Sequence, residues 1–314
     1  MSLQEKLTSL KLNAALAVKH ANGWQKLIDV YGESKATEFY KHLGLNHLET
    51  KGFEYEGLTL SREPKEHEKL AVKGIAQAQE SSKGAIGKIL LDLRTELIAD
   101  GLKGIKKLKP ANYHELTLQA SPEIRLSLRD RLIQVFKLGR TLVASEITGQ
   151  YGIERELSSW YPTIRYNRNK VNRAEDEFED LDLLTDLTNS RVANDVQARI
   201  IAAAQRYALL GQTGNDFLTS ITSEITDGSV AYIDRAAAGV ANRVLNIGRG
   251  DEMRDRADEI DRYEQSALLD QNVCEPCAAD DGQTASDPDD LPGGPNPDCL
   301  GSDLCRCFVV AISL

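Results

Sequence analysis

All five cysteines of this 314-residue chain fall between positions 274 and 307. A terminal stretch that short cannot bury enough apolar surface to hold itself together, so a cross-link is expected to do so. Cys274 and Cys277, in "CEPC", have the spacing of a metal knuckle, which presents two thiolates from one tight turn. Cys299, Cys305 and Cys307 are candidates for the remaining ligands of a tetrahedral site. The second half is irregular, reading C-x5-C-x-C. In an extended strand Cys305 and Cys307 point to one side and Arg306 to the other. One structural Zn2+ would staple such a module, and disulfides would do the same in an oxidising environment. An odd cysteine count argues against a framework made only of disulfides, and the reading favours zinc. Redox catalysis is disfavoured. No βαβ pattern precedes the pair, and the acids around it oppose a thiolate of lowered pKa.

The preceding 265 residues read as helical scaffold. Residues 1 to 58 suggest helices broken at "ANG", "YGES" and "HLGLNH". Ile86, Leu90, Leu93 and Leu97 recur at helical spacing, which predicts a long helix from about residue 62 to 100. Gly101, Gly104 and Pro110 mark its end. Ser121, Pro122 and Glu123 open a second long helix, whose stripe runs through Leu128, Leu132, Val135, Gly139, Val143 and Ile147. Three further helices are expected between residues 188 and 250. Their stripes are Val192, Val196, Ile200, Ala203 and Tyr207; Phe217, Ile221 and Ile225; and Ile233, Ala237, Val240 and Val244. "GQTGND" and "TDGSV" are the expected breaks. "DEMRDRADEIDR" is charged all round and expected to be exposed. "SALLD" and "RCFVVAISL" have strand length. The fold class is therefore mainly α: a long-helix N-terminal region followed by a helical domain ending in a small cysteine-rich α+β module. The expected divisions are 1–150, a charged connector at 151–187, a helical part at 188–262, and the cysteine module at 263–314.

The net charge of −10 excludes bulk electrostatic attraction to nucleic acid. A local exception is "WYPTIRYNRNKVNR". There Arg165, Arg168, Lys170 and Arg173 interleave with Trp160, Tyr161 and Tyr166 and could contact single strands by stacking. A surface arm is the favoured reading of that stretch, and a zinc-bearing nucleic-acid-binding protein is the alternative function. No apolar run is long enough for a membrane span. No signal peptide is read at the N-terminus, so cytoplasmic synthesis is expected. All five histidines (20, 42, 47, 67 and 114) precede the cysteines by a wide margin, and no P-loop, GxSxG or HExxH occurs. No catalytic residue is expected.

"ANRVLNIGRG" at 241–250, "YEQSALLDQNVCEPCAADDG" at 263–282, the proline loop after them, and "CRCFVV" at 305–310 form an ordered pattern. It resembles that of the phage minor head proteins, the Mu F-like head morphogenesis family. Asn242, Asn246, Gly248, Arg249, Tyr263, Ser266, Leu269, Asp270, Cys274, Cys277, Asp281, Gly282, Cys305 and Cys307 match it in order, over about residues 190 to 310. The family often places His-Pro shortly before Cys-Arg-Cys. Here the loop reads "PNPDCLGSDLCRC" without histidine, so either Cys299 stands in as the fourth ligand or metal binding is lost. The resemblance implies a non-enzymatic head protein inside the virion near the portal, present in the host cytoplasm during assembly. Its implied partners are the portal protein, other head or scaffold proteins and packaged DNA, with no membrane. Arg249, at a helix end, is expected to anchor the knuckle.

Overall fold

The computed structural model describes residues 53–149, 178–269, 273–294, 296–300 and 305–313. The elements run as a short hairpin, β1 (Phe53–Tyr55) and β2 (Leu58–Leu60), then helix α1 (Glu66–Lys107) and a 3-10 turn at Pro110–Glu115. Helices α2 (Pro122–Gly149), α3 (Glu179–Leu209) and α4 (Gly214–Asp255) follow. The chain ends with β3 (Ile260–Ser266), a short helix α5 (Glu275–Asp280), β4 (Thr284–Ala285) and β5 (Phe308–Ser313). The protein is thus mostly helical with a small C-terminal strand region, as the patterning predicts. Among the described residues no helix is long and apolar enough to cross a membrane.

The chain divides into two compact units. One, helical, comprises Ala78–Leu138 and Arg155–Leu245. Its core is the set of stripes legible in the sequence: Ile86, Leu90, Leu93, Leu97, Leu128, Leu132, Val135, Val192, Val196, Ile200, Ala203, Phe217, Ile221, Ile225, Ile233, Ala237, Val240 and Val244 are all buried. Tyr207 is the exception, half-buried at the end of its stripe. Arg125 pairs with Asp186, and Arg129 with Asp182, clamping α2 to α3. Gly101 and Gly104 do not end α1, which continues to Lys107. They lie where a Cβ would meet Ile200 Cδ1 at 2.3 Å and Leu116 Cδ1 at 2.6 Å, so these side chains pack closely against the bare backbone and would have to shift for any larger residue.

Several expected boundaries are corrected. α4 passes through "TDGSV" without a break, so two helices stand where three were expected. Both apolar stripes on either side of "TDGSV" are buried, and burial outweighs the weak helix propensity of Gly228. α3 begins at Glu179, so the expected division at 187 falls inside a helix and the one at 262 inside β3. "DEMRDRADEIDR" is not uniformly exposed: Met253 is fully buried, and Asp251, Glu252 and Asp255 surround Arg140. The strand expected at "SALLD" lies earlier, at "IDRYEQS". The helices expected before residue 53, Asp270 and the aromatic-basic stretch at 160–173 lie outside the described residues.

The second unit comprises the chain up to Gln77, Gly139–Glu154 and Asn246–Leu314. Its sheet has the order β4-β3-β5, antiparallel throughout, with Tyr263 opposite Ala311 and Ser266 opposite Phe308. Val143 and Ile147 of α2, Met253 of α4, Ile260 and Tyr263 of β3, Leu291, and Val309 and Ala311 of β5 form one apolar core. This register sets the site. β3 ends at Ser266 where β5 begins at Phe308, so Cys305 and Cys307 arrive at the same end of the sheet from which the chain leaves toward Cys274.

Candidate metal centre

Cys274 caps the N-terminus of α5, and Pro276 occupies its first turn, where a missing N–H costs nothing. The amide of Ala278 donates to the Cys274 carbonyl (2.9 Å), closing the turn that brings Cys274 and Cys277 together. Cys299 is placed by Asn296, which is buried in the proline loop. The Asn296 carbonyl accepts from the Cys299 amide (3.0 Å), its side-chain oxygen accepts from the Asp298 amide (2.9 Å), and its Nδ2 donates to Asp280 at the end of α5 (2.7 Å). The loop is further tied by Gln265, whose side-chain amide exchanges two hydrogen bonds with the backbone of Gly293 (2.9 and 3.0 Å). Cys305 and Cys307 are both buried and Arg306 is not, as an extended segment requires.

No disulfide joins the five cysteines, all of them among the described residues, and their side chains converge. Cys274, Cys277 and Cys299 lie within 4.8 Å of one another, as do Cys277, Cys305 and Cys307. The Cys274 and Cys299 sulfurs are 3.7 Å apart. Four thiolates around zinc at about 2.3 Å would stand about 3.8 Å from each other, so this separation suits a shared metal. The cluster of cysteines could hold a metal ion. Cys277, ringed by Cys274, Cys299, Cys305 and Cys307, is pushed far up, because its proton is held among neighbouring sulfurs and its burial opposes the anion. Cys299 is held below the ordinary thiol value by hydrogen bonds from Cys274 and Cys277.

The other motif residues brace this module. Arg249 is buried, with 1% of its side chain exposed, against Glu146, with 4% exposed. Its two terminal nitrogens reach Glu146 at 2.5 and 2.9 Å, one of them also donates to the Val309 carbonyl at 2.7 Å, and the guanidinium stands 5.8 Å over the Phe308 ring. Arg249 therefore fastens β5, the strand of the cysteine module that begins immediately after Cys307, to Glu146 of α2. Asn246 donates to the Cys307 carbonyl (3.3 Å), and Tyr263 Oη to the Met253 carbonyl (3.2 Å). Gly248 and Asn242 are buried in α4. Gly282 has φ +85°, a conformation suited to glycine, and its amide donates to the Gln265 carbonyl (2.8 Å).

Ser266 and Asp281 join a network that sequence reading missed. Asp281 accepts from the Ala267 amide (2.8 Å) and from Arg62 (2.6 and 2.9 Å). Arg62 also grips Glu68, which is fully buried and accepts from Ser266 Oγ (2.8 Å) and the Lys65 amide (2.7 Å). Burial opposes the Glu68 charge, but these donors outweigh it and hold the carboxyl below its ordinary value. Burial likewise works against the Arg62 charge, and Glu68 and Asp281 overcome it, raising the guanidinium. The sequence signal was a carboxylate three residues after Lys65, the spacing at which an acid in the first turn reaches back to the amide before the helix, without the Ser or Thr that would complete a capping box. Glu146 had a clearer one, as an acid beside the apolar stripe at Val143 and Ile147. Arg165, Arg168, Lys170 and Arg173 lie outside the described residues.

Comparison with protein-family models, with curated proteins and with solved structures gave no match.

Proposed function

We propose that the chain is a non-enzymatic structural protein of a tailed-phage head. It would act in head morphogenesis beside the portal, influence how packaged DNA is held or delivered, and have its C-terminal module stapled by zinc. The observation that supports this most is the use made of the head-protein-like motif. Arg249, Tyr263, Ser266, Asp281 and Gly282 each make a fastening contact, and the cysteines converge at the end of the sheet where the Ser266, Asp281 and Gly282 contacts lie. Zinc held by these thiolates would join α5, the proline loop and the entry to β5, three segments with little apolar surface of their own. The helical unit supports a docking role. Leu126 on α2 and Leu183 and Leu187 on α3 are each at least half exposed and flank the Arg125–Asp186 and Arg129–Asp182 clamps. A portal surface is the proposed occupant.

The test is quantitative mass spectrometry of purified particles from the host that produces them. The chain should be present in DNA-filled heads, cross-link to the portal, and be depleted from heads when Leu183 and Leu187 are both changed to Glu. Absence from heads refutes the reading.

A further inference from the structure

The five thiols do not surround a single point. Among the described residues two triads lie within 4.8 Å, Cys274–Cys277–Cys299 and Cys277–Cys305–Cys307, and no set of four does. Cys277 alone belongs to both. Two triads joined at one sulfur have the outline of two tetrahedra sharing a corner, whereas one zinc held by four of these thiolates would need four sulfurs all about 3.8 Å apart. We propose that the cluster is a binuclear centre in which the Cys277 sulfur bridges two zinc-class divalent ions, Cys274 and Cys299 holding the outer ion and Cys305 and Cys307 the inner one.

This rests on the reading of the cluster as a metal site and deepens it by fixing the number of ions and the role of each thiol. Charge favours the second ion. Loading five thiols with two divalent ions releases five protons and leaves one net negative charge on the centre. One ion on four thiolates leaves two negative charges and a spare thiol. Cys277, Cys305 and Cys307 are all buried, where uncompensated charge is costly. Position favours Cys277 as the bridge. It sits on the first turn of α5 within 4.8 Å of each of the other four sulfurs, and a thiolate has lone pairs for two metals. The remaining corner of each ion is left to water or to a ligand outside the triad. Cys274 and Cys299 are half-exposed and the inner pair is buried, so the outer ion should exchange first.

The experiment counts zinc on the full chain by native mass spectrometry, after saturation with zinc under reductant and removal of excess. Two ions per chain are expected. Cys299→Ser should retain one, and Cys277→Ser should fall below one. Loaded with cadmium-113, the protein should show two resonances in the thiolate region, each split by the other through the shared sulfur. One zinc per chain at saturation overturns the binuclear centre and leaves the structural metal of the proposed function standing; no zinc overturns both. Two zincs that survive Cys277→Ser, or two unsplit cadmium lines, overturn the bridge. If Cys277→Ser does not fold, the Cys299→Ser count and the cadmium spectrum of the unaltered chain still decide.

Discussion

Arg249 and Glu146 form a bidentate pair with almost no exposure, 103 residues apart in the chain. Arg249→Ala strands the Glu146 carboxylate in the core and takes a donor from the Val309 carbonyl. Breaking one side of a buried pair costs about 3–5 kcal/mol, a large share of the roughly 5–15 kcal/mol that holds a domain folded. The cost comes chiefly from the charge left behind, so removing both charges should recover most of it. Arg249→Met with Glu146→Leu should sit within about 1–3 kcal/mol of the unaltered chain, the remainder being the lost donor to Val309. The pair should then be non-additive by at least about 2 kcal/mol in a double-mutant cycle. The assay is urea unfolding of the full chain, followed by far-ultraviolet circular dichroism at fixed zinc and reductant. Hydrogen exchange over residues 308–313 reports β5 locally. A cost below about 1 kcal/mol for Arg249→Ala, or a double variant as damaged as the sum of the singles, would refute the reasoning.

Glu68 supplies a pH test. Its folded pKa lies below the ordinary 4.5, so its contribution to stability is complete above about that value and is lost as pH falls through the folded pKa. Urea midpoints measured from pH 7 down to 3 should drop more steeply for the unaltered chain than for Glu68→Gln, and parallel curves would contradict the assignment. A Cβ on Gly294 would lie 1.9 Å from the Cys307 carbonyl oxygen and 2.6 Å from Asn246 Nδ2. Gly294→Ala should therefore cost about 1–3 kcal/mol by the same unfolding assay, and a neutral effect would mean the loop can move aside. Asn296→Ala frees the turn that presents Cys299 and should weaken zinc binding by about 10–100-fold in competition with a chromophoric chelator. An unchanged affinity would remove Cys299 from the ligand set. Stripping metal with a strong chelator should raise hydrogen exchange in residues 273–300 far more than in α3, and uniform protection would argue against a zinc staple.

What the sequence alone determined was everything periodic or clustered. The stripes from Ile86 to Leu97, Leu128 to Ile147 and Val192 to Ala203 are each on one helix face because their spacing is near 3.6, and those apolar faces are the ones buried. Five cysteines in one short stretch announced a common centre, and the extended reading of "CRC" placed Cys305 and Cys307 on one side. Only the tertiary structure decided what is set by long-range packing. "TDGSV" carries break residues but lies between two buried stripes of one helix, and burial overrides a weak local preference. Glycines read as helix ends proved to be points of close approach, because Ile200 and Leu116 occupy the space a side chain would need. The partners of Arg249 and Asp281 come from α2 and from Arg62, and a charge in a sequence does not specify which distant charge will neutralise it. The same holds for the thiols. Their number and spacing were legible, but the sharing of Cys277 between two triads depends on the register of β5 against β3 and on the Asn296 turn, which exist only in the folded chain.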